Sequence, residues 1–462
     1  MGPVPRLRVA AVAFLASCMA AGSAGAHDVP LAAQAAQAAA PAAGAPSMVL
    51  FRNVRIFDGK SGRVSGPGDV LVRGNRIERI GVGLAPEPAA RVIDGGGRVL
   101  MPGLIDAHWH SMMAAPSLGV ILNGDQRYLT AIAAAESTRT LMRGFTSVRD
   151  VGGNSFGLKQ AVDEGVLPGP RIYASGAMIS VTSGHGDFRQ ASDLPRTMGV
   201  PGPTDLEGDT AIADSPDEVR MRVREQLMRG AAQIKLTAGG GVSSPHSPLD
   251  AITFTPAELR AAVEAAGNWG TYVTVHAYTA AAVREAVEAG VKVIEHGSLM
   301  DDATARLIAQ KGVWLSIQPF PRELGNAFPP GSVERAKFEE VFTGNNHAYE
   351  LARKHRLKTA WGTDVLFSAA LATQQGAILA SLTQWYTPAE ALVMATGTNG
   401  ELLQLTGKRN PYPGAIGVVE EGALADLLLV DGDPTVDISL VARPEQSFKV
   451  IMKDGVVYKD TP

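Results

Sequence analysis

The sequence has 462 residues, 45% of them hydrophobic and 19% charged, which is long enough to bury a large core and excludes a disordered or coiled-coil protein. The formal net charge is −4 and no Lys/Arg run appears in the body of the chain, so nucleic acid is excluded as the partner, because phosphate binding needs a concentrated basic face. Length alone suggests two or three domains, but an α/β barrel absorbs about 250 residues or more as one unit.

At the N-terminus, Arg6 and Arg8 precede an apolar stretch from Val9 to Ala21, and Ala24-Gly25-Ala26 has the small-x-small form of a cleavage site. Residues 1–26 therefore read as a signal peptide and the product as periplasmic or secreted. A membrane-spanning anchor fits less well, because the stretch is short and rich in Ala and Gly. Leu15-Ala16-Ser17-Cys18 also has the form of a lipobox, and lipidation at Cys18 would make the product a membrane-anchored lipoprotein. Without it no membrane partner is expected. Cys18 is the only cysteine, so no disulfide is expected. Residues 27–47, almost wholly Ala, Gln, Pro and Gly from 29 onward, have too little bulk to pack and read as a flexible low-complexity segment.

From 48 to 100 the chain shows short β-rich runs, such as Val49-Leu50-Phe51 and Val70-Leu71-Val72, broken by glycines. The texture returns over 408–462, in Ala425-Asp426-Leu427-Leu428-Leu429-Val430 and in Phe448-Lys449-Val450-Ile451-Met452 before the Asp454-Gly455 turn signal. The two ends are expected to assemble one small β-sandwich. Between them, over 101–407, apolar β-branched runs alternate with amphipathic stretches, the pattern of βα units on a parallel sheet. Candidate strands lie at 99–107, 145–149, 171–175, 233–237, 272–276, 292–296, 313–317 and 358–363. Eight is the number that closes a (β/α)₈ TIM barrel. Ser215-Pro216-Asp217-Glu218, Thr255-Pro256-Ala257-Glu258 and Thr387-Pro388-Ala389-Glu390 each place a hydroxyl at the N-cap, Pro at the first helical position and Glu two positions later. The stretch from Ser180 to Asp214 has no clear period and reads as an insertion after strand 3 on the catalytic face.

Asp106-Ala107-His108-Trp109-His110 ends the first strand, and histidines at i and i+2 of an extended segment point to one side, where both can reach one cation. His276 closes strand 5, His296 strand 6 and Asp364 follows strand 8, all at the end of the barrel where active sites are built. Lys235 sits inside strand 4 between Ile234 and Leu236, where a bare ammonium is an uncompensated charge unless chemistry removes or pairs it. Taken singly, His-x-His is more often a surface or hydrogen-bonded pair, His276 or His296 a satisfied core histidine, Asp364 a helix cap and Lys235 a rim salt bridge. Their joint placement at one end of one barrel favours a metal site.

With Met101-Pro102-Gly103-Leu104-Ile105-Asp106-Ala107-His108-Trp109-His110, the strand-4 lysine, the His276 and His296 pair, Gly362-Thr363-Asp364 and the closing Gly422-Ala423-Leu424-Ala425-Asp426-Leu427, the chain resembles the amidohydrolase superfamily from residue 49 to 460. The nearest likeness is to its metal-dependent peptidase-like branch: Xaa-Pro dipeptidases, carboxypeptidases on dipeptides or N-acyl amino acids, and ochratoxin-degrading amidohydrolases. The resemblance implies two divalent metal ions, one held by His108, His110 and Asp364, the other by His276 and His296, with Lys235 carbamylated by CO₂ into a bridging carboxylate. Zinc is the expected ion on availability, although Mn or Co suits the same ligands. A hydroxide between two such ions is a nucleophile at neutral pH. Asp364 would then pass its proton to the leaving amine. His185, in Ser183-Gly184-His185-Gly186-Asp187, is the expected donor to the oxyanion and a substrate contact.

Tyr278 and His246 are the other expected substrate contacts. The loop leading to His246, Gly239-Gly240-Gly241-Val242-Ser243-Ser244-Pro245-His246, lacks the Gly-Lys-Ser/Thr ending of a P-loop. The expected substrate is a small-molecule amide or peptide, and the chain is compatible with a homo-oligomer. Alternative readings are a cyclic amidase or lactonase, a heterocycle deaminase, and a non-catalytic metal-binding exported protein. The strand-4 lysine disfavours the deaminase, whose usual one-metal site lacks it.

Overall fold

The computed structural model describes residues 47–461 apart from Ala191 and Pro245. The expected signal peptide, the Cys18 lipidation site and nearly all of the 27–47 segment lie outside the described residues. Among the described residues no helix is long and apolar enough to cross a membrane.

The strands in chain order are β1 (Met48–Phe57), β2 (Val64–Arg73), β3 (Arg76–Gly81), β4 (Arg91–Asp94), β5 (Val99–Pro102), β6 (Leu104–Trp109), β7 (Phe145–Asp150), β8 (Arg171–Ala174), β9 (Met178–Ser180), β10 (Thr210–Ile212), β11 (Ile234–Thr237), β12 (Val273–Thr279), β13 (Val293–Leu299), β14 (Trp314–Ile317), β15 (Lys358–Trp361), β16 (Leu427–Val430), β17 (Phe448–Lys453) and β18 (Val456–Asp460). The two chain ends do combine. They form one hydrogen-bonded sheet of eight strands, ordered β18-β17-β16-β5-β1-β2-β3 with β4 paired to β1. Its joint is β5, which lies parallel to β1 and antiparallel to β16.

The expected first barrel strand, 99–107, is divided at Gly103. Pro102 offers no N–H, and a Cβ on Gly103 would lie 2.1 Å from Thr146 Oγ1. Only Gly lets the chain turn there out of the terminal sheet into β6. The terminal sheet therefore reaches to Pro102, two residues beyond the expected boundary.

The central strands are parallel, as expected, in a three-stranded sheet β6-β7-β8 and a seven-stranded sheet β10-β9-β11-β12-β13-β14-β15, a TIM-barrel-like α/β arrangement. Every residue of β6, β7, β8, β11 and β14 is buried, as in parallel sheets covered on both faces. The stretch from Ser180 to Asp214, expected as an insertion, contributes β10, which pairs in parallel with β9. At the seam between β8 and β11, Ala232 N–H donates to the Ala174 carbonyl at 2.8 Å. At the seam between β15 and β6 a side chain replaces the ladder. The buried Asn399 amide donates to the carbonyls of Ile105 (2.7 Å) and Trp361 (2.8 Å) and accepts from Trp361 N–H (3.1 Å). Asn399→Ala strands three buried backbone groups, each worth about 1–3 kcal/mol. The denaturant midpoint should fall by an amount equivalent to about 3 kcal/mol or more at unchanged m-value; a shift under about 1 kcal/mol would show that the seam closes without it.

The three Ser/Thr-Pro-x-Glu signals all open helices: Pro216–Met228, Pro256–Asn268 and Pro388–Val393. Thr255 with Glu258 and Thr387 with Glu390 close full capping boxes. Ser215 caps Glu218 N–H, but the Glu218 carboxylate turns to Asp214 N–H and Arg196 instead.

Candidate metal and active site

The strand ends bring six of the expected residues to one cavity. His108, on β6, and His110, just beyond it, direct their Nε2 atoms at one oxygen of Asp364, at 3.2 and 3.3 Å, and among the described residues these three present ligand atoms all within 4.8 Å of one another. The His296 ring, from β13, lies 5.1 Å from that of His108 and 4.5 Å from that of His276, from β12. Lys235, on β11, lines the same cavity. His296 and Asp364 have φ of +73° and +52°, a region that non-glycine residues adopt rarely and mostly where function over-determines it. Asp364 is held there by its N–H, which donates to the His108 carbonyl at 2.9 Å. A Cβ on Gly362 would fall 2.4 Å from His108 N, so Gly362→Ala should push Asp364 away from the imidazoles. The expected result is lower metal content by elemental analysis at unchanged far-UV circular dichroism.

A second layer fixes each imidazole. His108 Nδ1–H donates to Glu295 (2.8 Å), His110 Nδ1–H to the Gly152 carbonyl (3.1 Å), His276 Nε2–H to the Gly240 carbonyl (2.9 Å) and His296 Nδ1–H to Gln318 Oε1 (2.6 Å). The tautomers, inferred from these acceptors, leave one lone pair per ring for a metal, the arrangement that orients ligating histidines. Glu295 is itself held by the wholly buried Arg149 at 2.6 Å and by Thr274, and Arg149 also grips the Ala107 carbonyl at 2.6 Å.

Burial keeps His276 and His296 neutral, the latter with a pKa lowered to about 3. Burial opposes a charge on His108 too, but Asp364 and Glu295 outweigh it and raise its pKa. Burial likewise disfavours the Asp364 carboxylate, yet His108, His110 and His296 draw its pKa well below the usual range. Burial also lowers the pKa of Lys235, and among the described residues no hydrogen bond or ion pair reaches its ammonium.

Above the histidines lies a cavity of about 500 Å³. His185 and Tyr278 line it as expected, the His185 ring 4.3 Å from that of His276 and the Tyr278 ring 5.0 Å from that of His296. His246 is placed differently: its side chain is exposed and does not line the cavity, and its carbonyl accepts from Ser183 Oγ at 3.0 Å. The Gly-rich loop reaches the cavity through Val242 and Ser243 instead.

Sequence reasoning missed Glu295, Arg149 and Gln318, and also the apolar wall, which includes Phe188, Phe320, Phe328, Phe338 and Phe367. Glu295 carried a signal: a carboxylate inside the apolar strand Val293–Leu299 needs a partner. The phenylalanines carried none, being spread over separate loops and one helix.

The residues fit a two-ion centre. Four imidazoles offer unprotonated nitrogens, a carboxylate converges on two of them, and a buried lysine that no hydrogen bond or ion pair reaches among the described residues stands beside them. The model of the amidohydrolase family matches residues 99–459. Ochratoxinase of Aspergillus niger is 30% identical over 391 residues, spanning 78% of this chain and 76% of that protein. A crystal structure of a prolidase complexed with N-methylphosphonate-L-proline superposes with a TM-score of 0.82 at 32% identity, covering 90% of this chain and 100% of that one. A Xaa-Pro dipeptidase with methionine bound in its active site gives 0.78 at 29% identity, covering 89% and 100%.

Proposed function

The chain belongs to the amidohydrolase family, and from that premise we propose that it is a two-metal hydrolase of a peptide-like amide bond, in a dipeptide or an N-acyl amino acid. It is a hydrolytic enzyme with peptidase-like relatives. The observation that carries the finer reading is the convergence of His108, His110, His276, His296, Asp364 and Lys235 on the floor of an apolar cavity. His108, His110 and Asp364 would hold one ion, His276 and His296 the other, and Lys235, once carbamylated, would supply a further oxygen ligand. Bound there, divalent ions, zinc on availability, supply a water nucleophile of lowered pKa and polarise the scissile carbonyl.

The chain's own groups do the rest. Asp364 accepts the proton of the attacking water and delivers it to the leaving amine. His185 donates a hydrogen bond to the oxygen on which charge develops. Tyr278 faces the same space, and the phenylalanine wall excludes water and receives an apolar group of the substrate.

The two parallel sheets are read as one eight-stranded barrel, of β6 to β8 and β11 to β15, with the joint sheet of the chain ends as a sandwich-like flank. A periplasmic or secreted location rests on residues 1–26 alone.

Metal analysis followed by a hydrolysis screen over dipeptides and N-acyl amino acids tests the proposal. Two ions per chain and amine release are expected. Ammonia release from a heterocycle without any amide cleavage would sink it in favour of a deaminase.

A further inference from the structure

Ser244 is wholly buried. Its Oγ accepts Gly186 N–H at 3.2 Å and lies 2.8 Å from His185 Nδ1. A hydroxyl carries one hydrogen and must place it. Among the described residues His185 Nδ1 is the sole acceptor within reach of that hydrogen, and a buried hydroxyl hydrogen without an acceptor is destabilising. Nδ1 is therefore the accepting nitrogen, which leaves the ring proton of the neutral imidazole on Nε2. No group of the described chain takes Nε2, and the ring lines the cavity. The His185 backbone is fixed as well, its carbonyl accepting from Ser180 Oγ at 2.8 Å. A Cβ on Gly241 would fall 2.0 Å from His185 Nδ1, so the loop that carries Ser244 is packed directly on the ring.

That loop is held from the far wall of the cavity. Lys337, buried in the helix Val333–Lys354, donates to the carbonyls of Gly241 (3.2 Å), Ser244 (2.9 Å) and Ser247 (2.7 Å), and among the described residues no carboxylate pairs with it. All three ammonium hydrogens are thus spent on the loop after β11. The same helix supplies Phe338 and Val341 to the cavity, so one side chain joins the substrate wall to the loop that orients His185.

We infer that Lys337 and Ser244 are positioning residues that hold His185 with its proton on Nε2, facing the cavity, so that it can only donate to a substrate atom. The inference deepens the proposed function, because it rests on His185 serving the developing oxyanion.

The test uses the metal-loaded enzyme and two readouts. In ¹⁵N-histidine NMR spectra, with the His185 signals identified by their loss in His185→Ala, the wild type should show the proton on Nε2. Ser244→Ala should mix the two tautomers. In kinetics, His185→Ala should lower kcat by on the order of 10²-fold, and Ser244→Ala and Lys337→Met by about tenfold each at full metal content and little changed KM. In the His185→Ala background neither substitution should lower kcat further.

A wild-type proton on Nδ1, or equal kcat losses from the two substitutions with and without His185, would overturn the inference. If Lys337→Met does not fold, Ser244→Ala carries both readouts. If His185→Ala leaves kcat unchanged, the catalytic role of His185 fails, and the NMR result still decides the tautomer.

Discussion

Asp364→Asn should lower kcat by on the order of 10⁴-fold, the upper end of what a positioned acid or base contributes, while the protein folds as before. Two observations separate chemistry from structure here. Asp364 has φ of +52°, and Asn is one of the few residues that enter the left-handed region readily, so the replacement keeps the backbone turn and the N–H bond to His108. Its amide nitrogen, however, can neither accept the proton of the attacking water nor carry one to the leaving amine. Asn also presents one oxygen where the carboxylate oxygen lies 3.2 and 3.3 Å from the His108 and His110 nitrogens, so metal content must be measured beside kcat. A variant that keeps the wild-type metal content and a rate within about tenfold of the wild type would remove Asp364 from proton transfer.

What the sequence reveals of the site is what strand ends reveal. His108, His276, His296, Lys235 and Asp364 are legible because each lies within, or just after, a short run with strand character, and the parallel topology then carries all of them to one face. The helix starts are legible for a local reason, since a cap and its partner lie three residues apart. The break at Gly103 is signalled by Pro102-Gly103, a turn dipeptide inside the 99–107 run, and the crowding against Thr146 shows why a glycine stands where the chain leaves one sheet for another.

His246 shows the limit of loop reading. The Gly-rich segment is on the expected face, but its turn sends Val242 and Ser243 to the cavity and the imidazole to solvent. Lys337 lies 90 residues or more from Ser244 and Ser247, two of the carbonyls it binds, and no local pattern announces such a bond. The second layer was half legible. Glu295 is conspicuous inside its strand, whereas its partner Arg149 is donated by a strand that precedes it by 146 residues.

That pair supports the other large effect. Glu295→Ala should destabilise the protein by about 3–5 kcal/mol, because it leaves the guanidinium of Arg149, which has no solvent exposure, as an unpaired buried charge. Against a total stability of about 5–15 kcal/mol, such a loss threatens the folded state itself. A second consequence is independent of the charge: His108 loses the acceptor that holds its Nδ1–H, and with it the orientation of Nε2, which should weaken metal binding about 10–100-fold. Arg149→Met combined with Glu295→Met pulls the two apart. An apolar pair of similar volume no longer buries a lone charge, so much of the denaturation midpoint should return, short of full recovery because the Ala107 carbonyl loses its donor. The His108 imidazole remains unanchored in that double variant, so metal affinity, read by chelator competition, should stay low. Recovery of metal affinity together with stability would mean that Glu295 affects metal binding only by keeping the strand ends folded.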